Sequence, residues 1–288
     1  MPSDFAPELI PRHRVGGYSA YRPTRDLAHA VEDFWTYLAP ADFPRPEGPM
    51  HRVLPDPSVS IAYCCRRAPD GTPGDPRVLL VGEKTQPMVF SYDRGRQTAA
   101  VRIKIEWVEH LLELRPGEHQ NTSVDLGLVL PLFAEELLEN LSRTRSPADT
   151  LDTLRAALLG RQQSRAEVRH AVVTHALDAV RVTRGRCPIE KIAERAGFSA
   201  RHLRRLVNDS AGVSLKSFAR TTRFVTAVTR ADGVEHPQWA QIAADAGFYD
   251  QSHFVRDCQE ICGMTPTELD RERRAQIIGS ELIGASAA

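Results

Sequence analysis

Between Pro188 and Leu269 the chain writes one helical unit twice, and this repeat constrains the fold more than any other feature. Ile189, Ile192, Ala193, Ala196, Gly197 and Phe198 recur fifty residues later as Trp239, Ile242, Ala243, Ala246, Gly247 and Phe248. From there the interval is fifty-one: Leu203, Arg205, Gly212, Ser214 and Phe218 answer to Phe254, Arg256, Gly263, Thr265 and Leu269. Each copy reads as a helix, a glycine turn and a second helix. Packing explains the residue choice. Ile192, Ala193 and Ala196 share a helical face, and alanine lets a second helix cross closely. Gly197 supplies the left-handed residue that ends the helix, and Phe198 turns back into the core. Ser199 is placed to cap the next helix, as Asp250 is in the second copy.

In that next helix Leu203, Leu206 and Val207 form the buried stripe. Arg201, Arg204 and Arg205, spaced i, i+3 and i+4, put three guanidiniums on the other side. Arginine forks match phosphate oxygens and the O6/N7 edge of guanine, so this face is predicted to enter a major groove. A single alanine-glycine-phenylalanine junction is common in helical hairpins, and a lone arginine row is usually a solvated face. Two copies in register, each closing with Gly-x-Ser or Gly-x-Thr-Pro, are far more specific. The second closes with Thr265, Pro266 and Glu268, a capping box with proline at the first helical position.

At these residues the chain resembles the AraC/XylS family of bacterial transcription regulators. The resemblance lies in Ile242-Ala243, Ala246-Gly247-Phe248, Asp250, Ser252-His253-Phe254, Arg256 and Gly263-Met264-Thr265-Pro266, and covers about residues 165–275. It implies two helix-turn-helix units joined by a long helix, here Leu215–Thr229 with the matching Arg223 and Ala227. It also implies recognition helices in successive major grooves on one face of the DNA. Carried over by position, the DNA-binding candidates are Arg201, Arg204, Arg205 and Arg223, then Gln251, Ser252, Val255 and Arg256. Double-stranded DNA and RNA polymerase are the implied partners, and no enzyme activity is implied. Val207 and Cys258 depart from the family's phenylalanine, which suggests looser packing. Thr229 and Arg230 stand where the family tends to have leucines, so the joining helix is expected to be held less tightly.

The 288 residues carry no net charge, which looks wrong for a DNA binder until it is divided. Residues 181–230 hold twelve Lys and Arg against three Asp and Glu, a net +9; residues 231–288 hold four against ten, a net −6. Phosphate affinity is therefore expected mostly from the first unit and the joining helix. The length fits a division into a sensory or assembly domain at 1–130, a helical connector at 131–164, the DNA-binding domain at 165–275 and a flexible tail at 276–288. Met1-Pro2-Ser3-Asp4 does not read as a secretion signal, no segment is apolar enough to span a bilayer, and five cysteines form no regular framework. A cytoplasmic chain with no membrane partner is expected. No nucleophile elbow, phosphate loop, His-Glu-x-x-His or paired Cys-x-x-Cys is present, so no enzyme, cofactor or metal is expected.

The amino-terminal half reads as α+β, a small β-barrel or curled sheet, ahead of the all-α repeat. Ser58–Cys65, Val78–Val81, Met88–Tyr92 and Thr98–Glu106 have strand patterns, clearest in Val101, Ile103 and Ile105 against Arg102, Lys104 and Glu106. Leu27–Leu38 has helical spacing through Leu27, Val31, Phe34, Trp35 and Leu38, and Trp107–Leu114 reads as another helix stopped by Pro116-Gly117. Tyr21-Arg22-Pro23, Val31 to Trp35, Val53-Leu54-Pro55-Asp56 and Val81-Gly82 are similar to an uncharacterised amino-terminal domain of some actinobacterial AraC-type regulators. That resemblance implies a sensory or assembly module and names no ligand; Pro57 replaces the glycine usual after Pro-Asp. Two helical stripes follow, Phe133, Leu137, Leu138 and Leu141, then Leu151, Leu154 and Leu158. They read equally as an arm that couples domains or pairs subunits and as a packed connector.

Several residues that invite chemistry are better read as packing: the buried thiols Cys64-Cys65 and Cys258 with Cys262, His253 beside Phe254, and the aromatics Trp35 and Trp107. His170 and His175 are poorly spaced to chelate. The expected function is a DNA-binding transcription regulator whose amino-terminal domain responds to a signal or small-molecule effector. The alternative makes that domain a protein-interaction or homodimerisation module without a ligand.

Overall fold

A computed structural model describes residues 7–10, 17–38, 50–91, 95–162, 168–232 and 234–274. The strands are β1 (Tyr18–Tyr21), β2 (Val31–Leu38), β3 (Met50–Val53), β4 (Val59–Arg67), β5 (Pro73–Val81), β6 (Met88–Ser91), β7 (Arg96–Ile103) and β8 (Ser123–Asp125). Six form one antiparallel sheet in the order β1-β2-β7-β4-β5-β8, while β3 and β6 pair separately. The edges β1 and β8 do not meet, so the sheet is open and not a closed barrel.

One expectation fails here. The helical spacing of Leu27–Leu38 belongs to a turn at residues 25–30 followed by strand β2. A bulge between Val31 and Asp33 lets Val31 and Phe34 face the same core, and so imitates a helical period. The content of Val31, Phe34, Trp35, Thr36 and Tyr37 is that of a strand, and the tertiary pairing with β7 decides it. Strand β7 ends at Ile103, and Ile105–Trp107 forms a 3-10 turn before the short helix α1 (Val108–Leu112).

Phe34, Ile61, Tyr63, Leu80, Val101 and Ile103 lie on one sheet face and join the principal core. Helices α2 (Pro131–Ser142) and α3 (Pro147–Leu159) bury Phe133, Leu137, Leu141, Leu151, Leu154 and Leu158 there as well. Ser146 opens α3 with a capping box and Pro147 at its first position. The two stripes are thus part of the sheet domain's core.

The carboxyl-terminal helices are α4 (Val168–Val182), α5 (Ile189–Arg195), α6 (Ala200–Ala211), α7 (Leu215–Ala231), α8 (Trp239–Ala246) and α9 (Gln251–Cys262), then a helical run at residues 266–274. The principal core continues from the sheet through α4, α5 and α6 to Ala219. A second core begins at Phe224 and holds Phe248, Phe254, Cys258 and Leu269, with Leu54 of the sheet domain packed against it. The tail expected at 276–288 lies outside the described residues.

Candidate nucleic-acid interface

Each recognition helix is set by a glycine, a capping side chain and a buried stripe. In the first unit Gly197 takes φ 74°, and Ser199 Oγ accepts from the His202 backbone N–H at 3.3 Å. Leu203 and Val207 are wholly buried, which turns Arg201, Arg204 and Arg205 into solvent. Arg204 pairs with Glu190 at 2.7 Å. Arg201 and Arg205 have no carboxylate within pairing distance among the described residues. In the second unit Gly247 takes φ 88°, and Asp250 accepts from the His253 N–H at 2.7 Å. Phe254 and Cys258 are buried; Gln251, Ser252 and Arg256 are exposed and Val255 is half-buried. Thr265 and Glu268 form the reciprocal capping bonds.

Arg223 of α7 has contacts of its own within the fold. Its Nη1 donates to the Gly185 carbonyl at 2.7 Å, its guanidinium lies 5.9 Å from the Phe248 ring centre, and burial lowers its pKa. The side chain ties the turn after α4 to α7 and the second unit. The residue is half-buried.

The second unit's carboxylates have partners that segment charge could not reveal. Arg220 of α7 donates to Asp257 at 2.9 Å and pairs with Glu260, and the Asp257 hydrogen bond is the largest cause of its raised pKa. Arg230 pairs with Asp245 at 3.3 Å, and Arg273 with Asp232. The joining helix, expected to be loose near Thr229 and Arg230, is thus strapped by ion pairs. A signal for Asp257 was present: it stands at i+3 from Phe254, next to Cys258, on the buried stripe, where a carboxylate requires a partner.

The joint between sheet domain and first unit is also ionic and aromatic. Arg181 of α4 reaches Glu32 at 2.5 Å, the fully buried Glu106 side chain at 2.6 Å and Asp178 at 3.1 Å, with its guanidinium 5.1 Å from the Phe218 ring centre. Burial opposes the charge, but these carboxylates outweigh it and hold the pKa high. Nearer the start of α4, His170 stands edge-on to Trp107 at 4.5 Å and 3.9 Å from His110 between ring centres. Burial, with help from His110 and His29, lowers His170 to about 4. A β-carbon at Gly212, which ends α6, would stand 2.8 Å from the Pro116 carbonyl oxygen, so the helix end abuts that loop. The second unit meets the sheet domain through Leu54 and an Arg52–Glu272 pair at 2.8 Å.

The sheet's other face carries a second polar group. Arg102 pairs with Asp56 at 3.0 Å and Asp33 at 3.4 Å, and donates to the Tyr18 hydroxyl at 3.0 Å; Tyr18 stacks on Trp35 at 5.6 Å. Burial pushes Asp33 up to about 6. Trp35 Nε1 and Ser58 Oγ are buried with no hydrogen-bond partner among the described residues. Burial likewise raises the thiols of Cys258 and Cys262 to about 12 and about 11, and His253 packs edge-on to Phe248. No helix among the described residues is long and apolar enough to cross a membrane.

Residues 192–272 match a family described as a helix-turn-helix domain, and residues 19–125 match a domain of unknown function. No curated protein matches the chain. Among solved structures, the C-terminal domain of AraT, a response regulator from Geobacillus stearothermophilus, is 22% identical. The alignment covers 36% of this chain and 84% of that one, with a TM-score of 0.32. A transcriptional regulator with an AraC-type DNA-binding domain from Chromobacterium violaceum is also 22% identical, over 36% of this chain and 92% of its own, at 0.33. ToxT from Vibrio cholerae is 11% identical over 83% of this chain and 98% of its own, at 0.43. At these scores the structural likeness bears no weight beside the family matches. A helix-turn-helix domain of this type binds DNA and regulates transcription, and its family is in general not enzymatic. The chain carries an AraC-type helix-turn-helix domain at residues 192–272 behind a domain of unknown function at residues 19–125.

Proposed function

We propose that this protein reads duplex DNA with α6 and α9 and that its sheet domain sets how they are presented in response to a signal. Arg201, Arg204 and Arg205 supply charged contacts from the first unit. Gln251, Ser252, Val255 and Arg256 supply largely neutral ones from the second. Arg223, which also ties the turn after α4 to α7, adds a contact from the joining helix. The observation that carries this reading is the exposure of both polar faces on helices fixed by glycine, cap and buried stripe. On this reading the functional division is a sensory domain to about residue 130, a connector to 164 and a DNA-binding domain from 165 to 275, in a cytoplasmic regulator that works with RNA polymerase.

A small-molecule effector would act through the buried polar group around Arg102, where Trp35 Nε1 and Ser58 Oγ are unsatisfied. The second reading, assembly without a ligand, draws on Leu128, in the 3-10 turn before α2, and Leu132, in its first turn, 83% and 82% exposed, a face suited to a second copy. Selecting duplexes from a random pool with the full chain, then measuring mobility shift, tests the DNA reading. One enriched sequence bound tightly against competitor is the expected result; no enrichment by folded protein refutes it.

A further inference from the structure

The step in repeat interval from fifty to fifty-one adds one residue to the second unit, between its buried phenylalanine and its helix cap. In the first unit Phe198 is followed directly by the cap Ser199; in the second, Tyr249 stands between Phe248 and the cap Asp250. That added residue is 93% exposed, the highest value among the large hydrophobic side chains described. A single exposed apolar residue is ordinary by itself. Its place is what matters: it precedes the first turn of a recognition helix, and the amino-terminal residues of such helices lie nearest the bases and flanking phosphates. Gln251 and Ser252, exposed beside it, are the helix's first two residues.

The electrostatics of the unit point the same way. Asp257, Glu260 and Asp245 are engaged with Arg220 and Arg230 of α7, so they serve the fold, and the DNA-facing candidates of α9 carry one cation, Arg256. A unit built this way needs uncharged donors to hold the backbone, and tyrosine is among the side chains that contact phosphate. We infer that Tyr249 is a DNA contact of the second unit, its phenolic O–H donating to a phosphate oxygen beside the groove that α9 enters. This rests on α9 being a recognition helix.

The test uses the full chain and a duplex selected by it from a random pool, with Y249F, Y249A, Q251A and R256A compared over a salt series and by thermal melting. Y249F and Y249A should each weaken binding about tenfold, the worth of one lost hydrogen bond to a charged group. Because a hydroxyl displaces no counterion, the salt dependence should stay that of the wild type, whereas R256A should flatten it. Melting should not change, since the ring packs against little. Y249F within twofold of wild type, with R256A weakened, overturns the hydroxyl contact while leaving α9 as a reader. A lowered melting temperature for Y249A assigns the ring to the fold and overturns it too. If R256A, Q251A and both Tyr249 variants all bind as wild type, α9 does not read DNA and the underlying reading fails first.

Discussion

In the first helix-turn-helix unit, α4, α5 and α6 pack into a core shared with the sheet domain, whereas the second unit closes its own core around Phe224, Phe248 and Phe254. The first leaves Arg201 and Arg205 exposed toward solvent. The second uses its acidic residues to strap itself to α7. Charge counted by segment, +9 against −6, therefore overstates the difference on the DNA side. Arg220 and Arg230 belong to the positive segment, yet their partners are the carboxylates of the negative one. What distinguishes the units for DNA is which side chains remain exposed. What distinguishes them is also what each is anchored to: one unit shares its core with the sheet domain, while the other meets that domain through Leu54 and the Arg52–Glu272 pair and meets the first unit through α7 and Arg223.

The largest expected effect tests that division of cores. Phe254→Ala should cost about 3–5 kcal/mol and Leu203→Ala about 2–5 kcal/mol, since both side chains are wholly buried. The location of the loss should differ. Hydrogen exchange should show Phe254→Ala loosening α8 and α9 while the sheet keeps its protection. Leu203→Ala should lower protection in α4 and in the strands as well. If Phe254→Ala exposes the sheet as readily as Leu203→Ala does, the two cores are one cooperative unit and the contrast fails.

A smaller effect concerns the exposed faces. Arg201→Ala or Arg205→Ala should each weaken binding to a selected duplex by roughly 1–3 kcal/mol if its fork meets a base edge bidentately, and lower the salt slope where it meets phosphate. Gln251→Ala should cost less, act mainly at one base position and leave the slope alone. Binding of each variant across a salt series decides. Greater losses from both Gln251→Ala and Arg256→Ala than from the two arginines would reverse the ranking of the units.

How much of this could be read beforehand depended on the range of the interaction. The glycine turns, Ser199 and Asp250 caps and buried stripes are local, repeat in register and were readable from residue types alone. Strand β2 was misread because its bulge gave Val31 and Phe34 a helical spacing, and only the pairing with β7, some seventy residues away, resolves it. The Arg223 bond to Gly185 is not legible in the sequence, since its acceptor is a backbone carbonyl that has no residue type to read. The Arg181–Glu106–Glu32 group joins three distant segments, and nothing local marks any member as buried except the apolar neighbours of Glu106. Asp257 on a core stripe was the one long-range partner that announced itself.

The smallest effect distinguishes the anchors by pH. His170, 7% exposed at the joint of α4 with Trp107 and His110, is held neutral at about 4 against 6.5 for a free imidazole. Its folded pKa is depressed, so between those values the unfolded chain binds the extra proton. Stability from this group is complete above about pH 6.5 and is lost as pH falls toward 4. The full loss is about 3 kcal/mol. Asp33 works against it: burial raises that carboxyl from 3.8 to about 6, so its folded form gains protons first and stability rises over nearly the same interval as pH falls. The net curve of the wild type is therefore a poor witness, and the difference between variants is the useful one. His170→Phe should remove the acid-dependent loss and leave the opposing rise from Asp33, so the variant gains stability relative to wild type as pH drops from 6.5 to 4. Asp33→Asn should do the reverse. Through His170, acid should loosen the joint of the first unit before the second, as read by exchange in α4 against α9. Parallel pH curves for wild type and His170→Phe would show that the joint does not depend on a neutral imidazole.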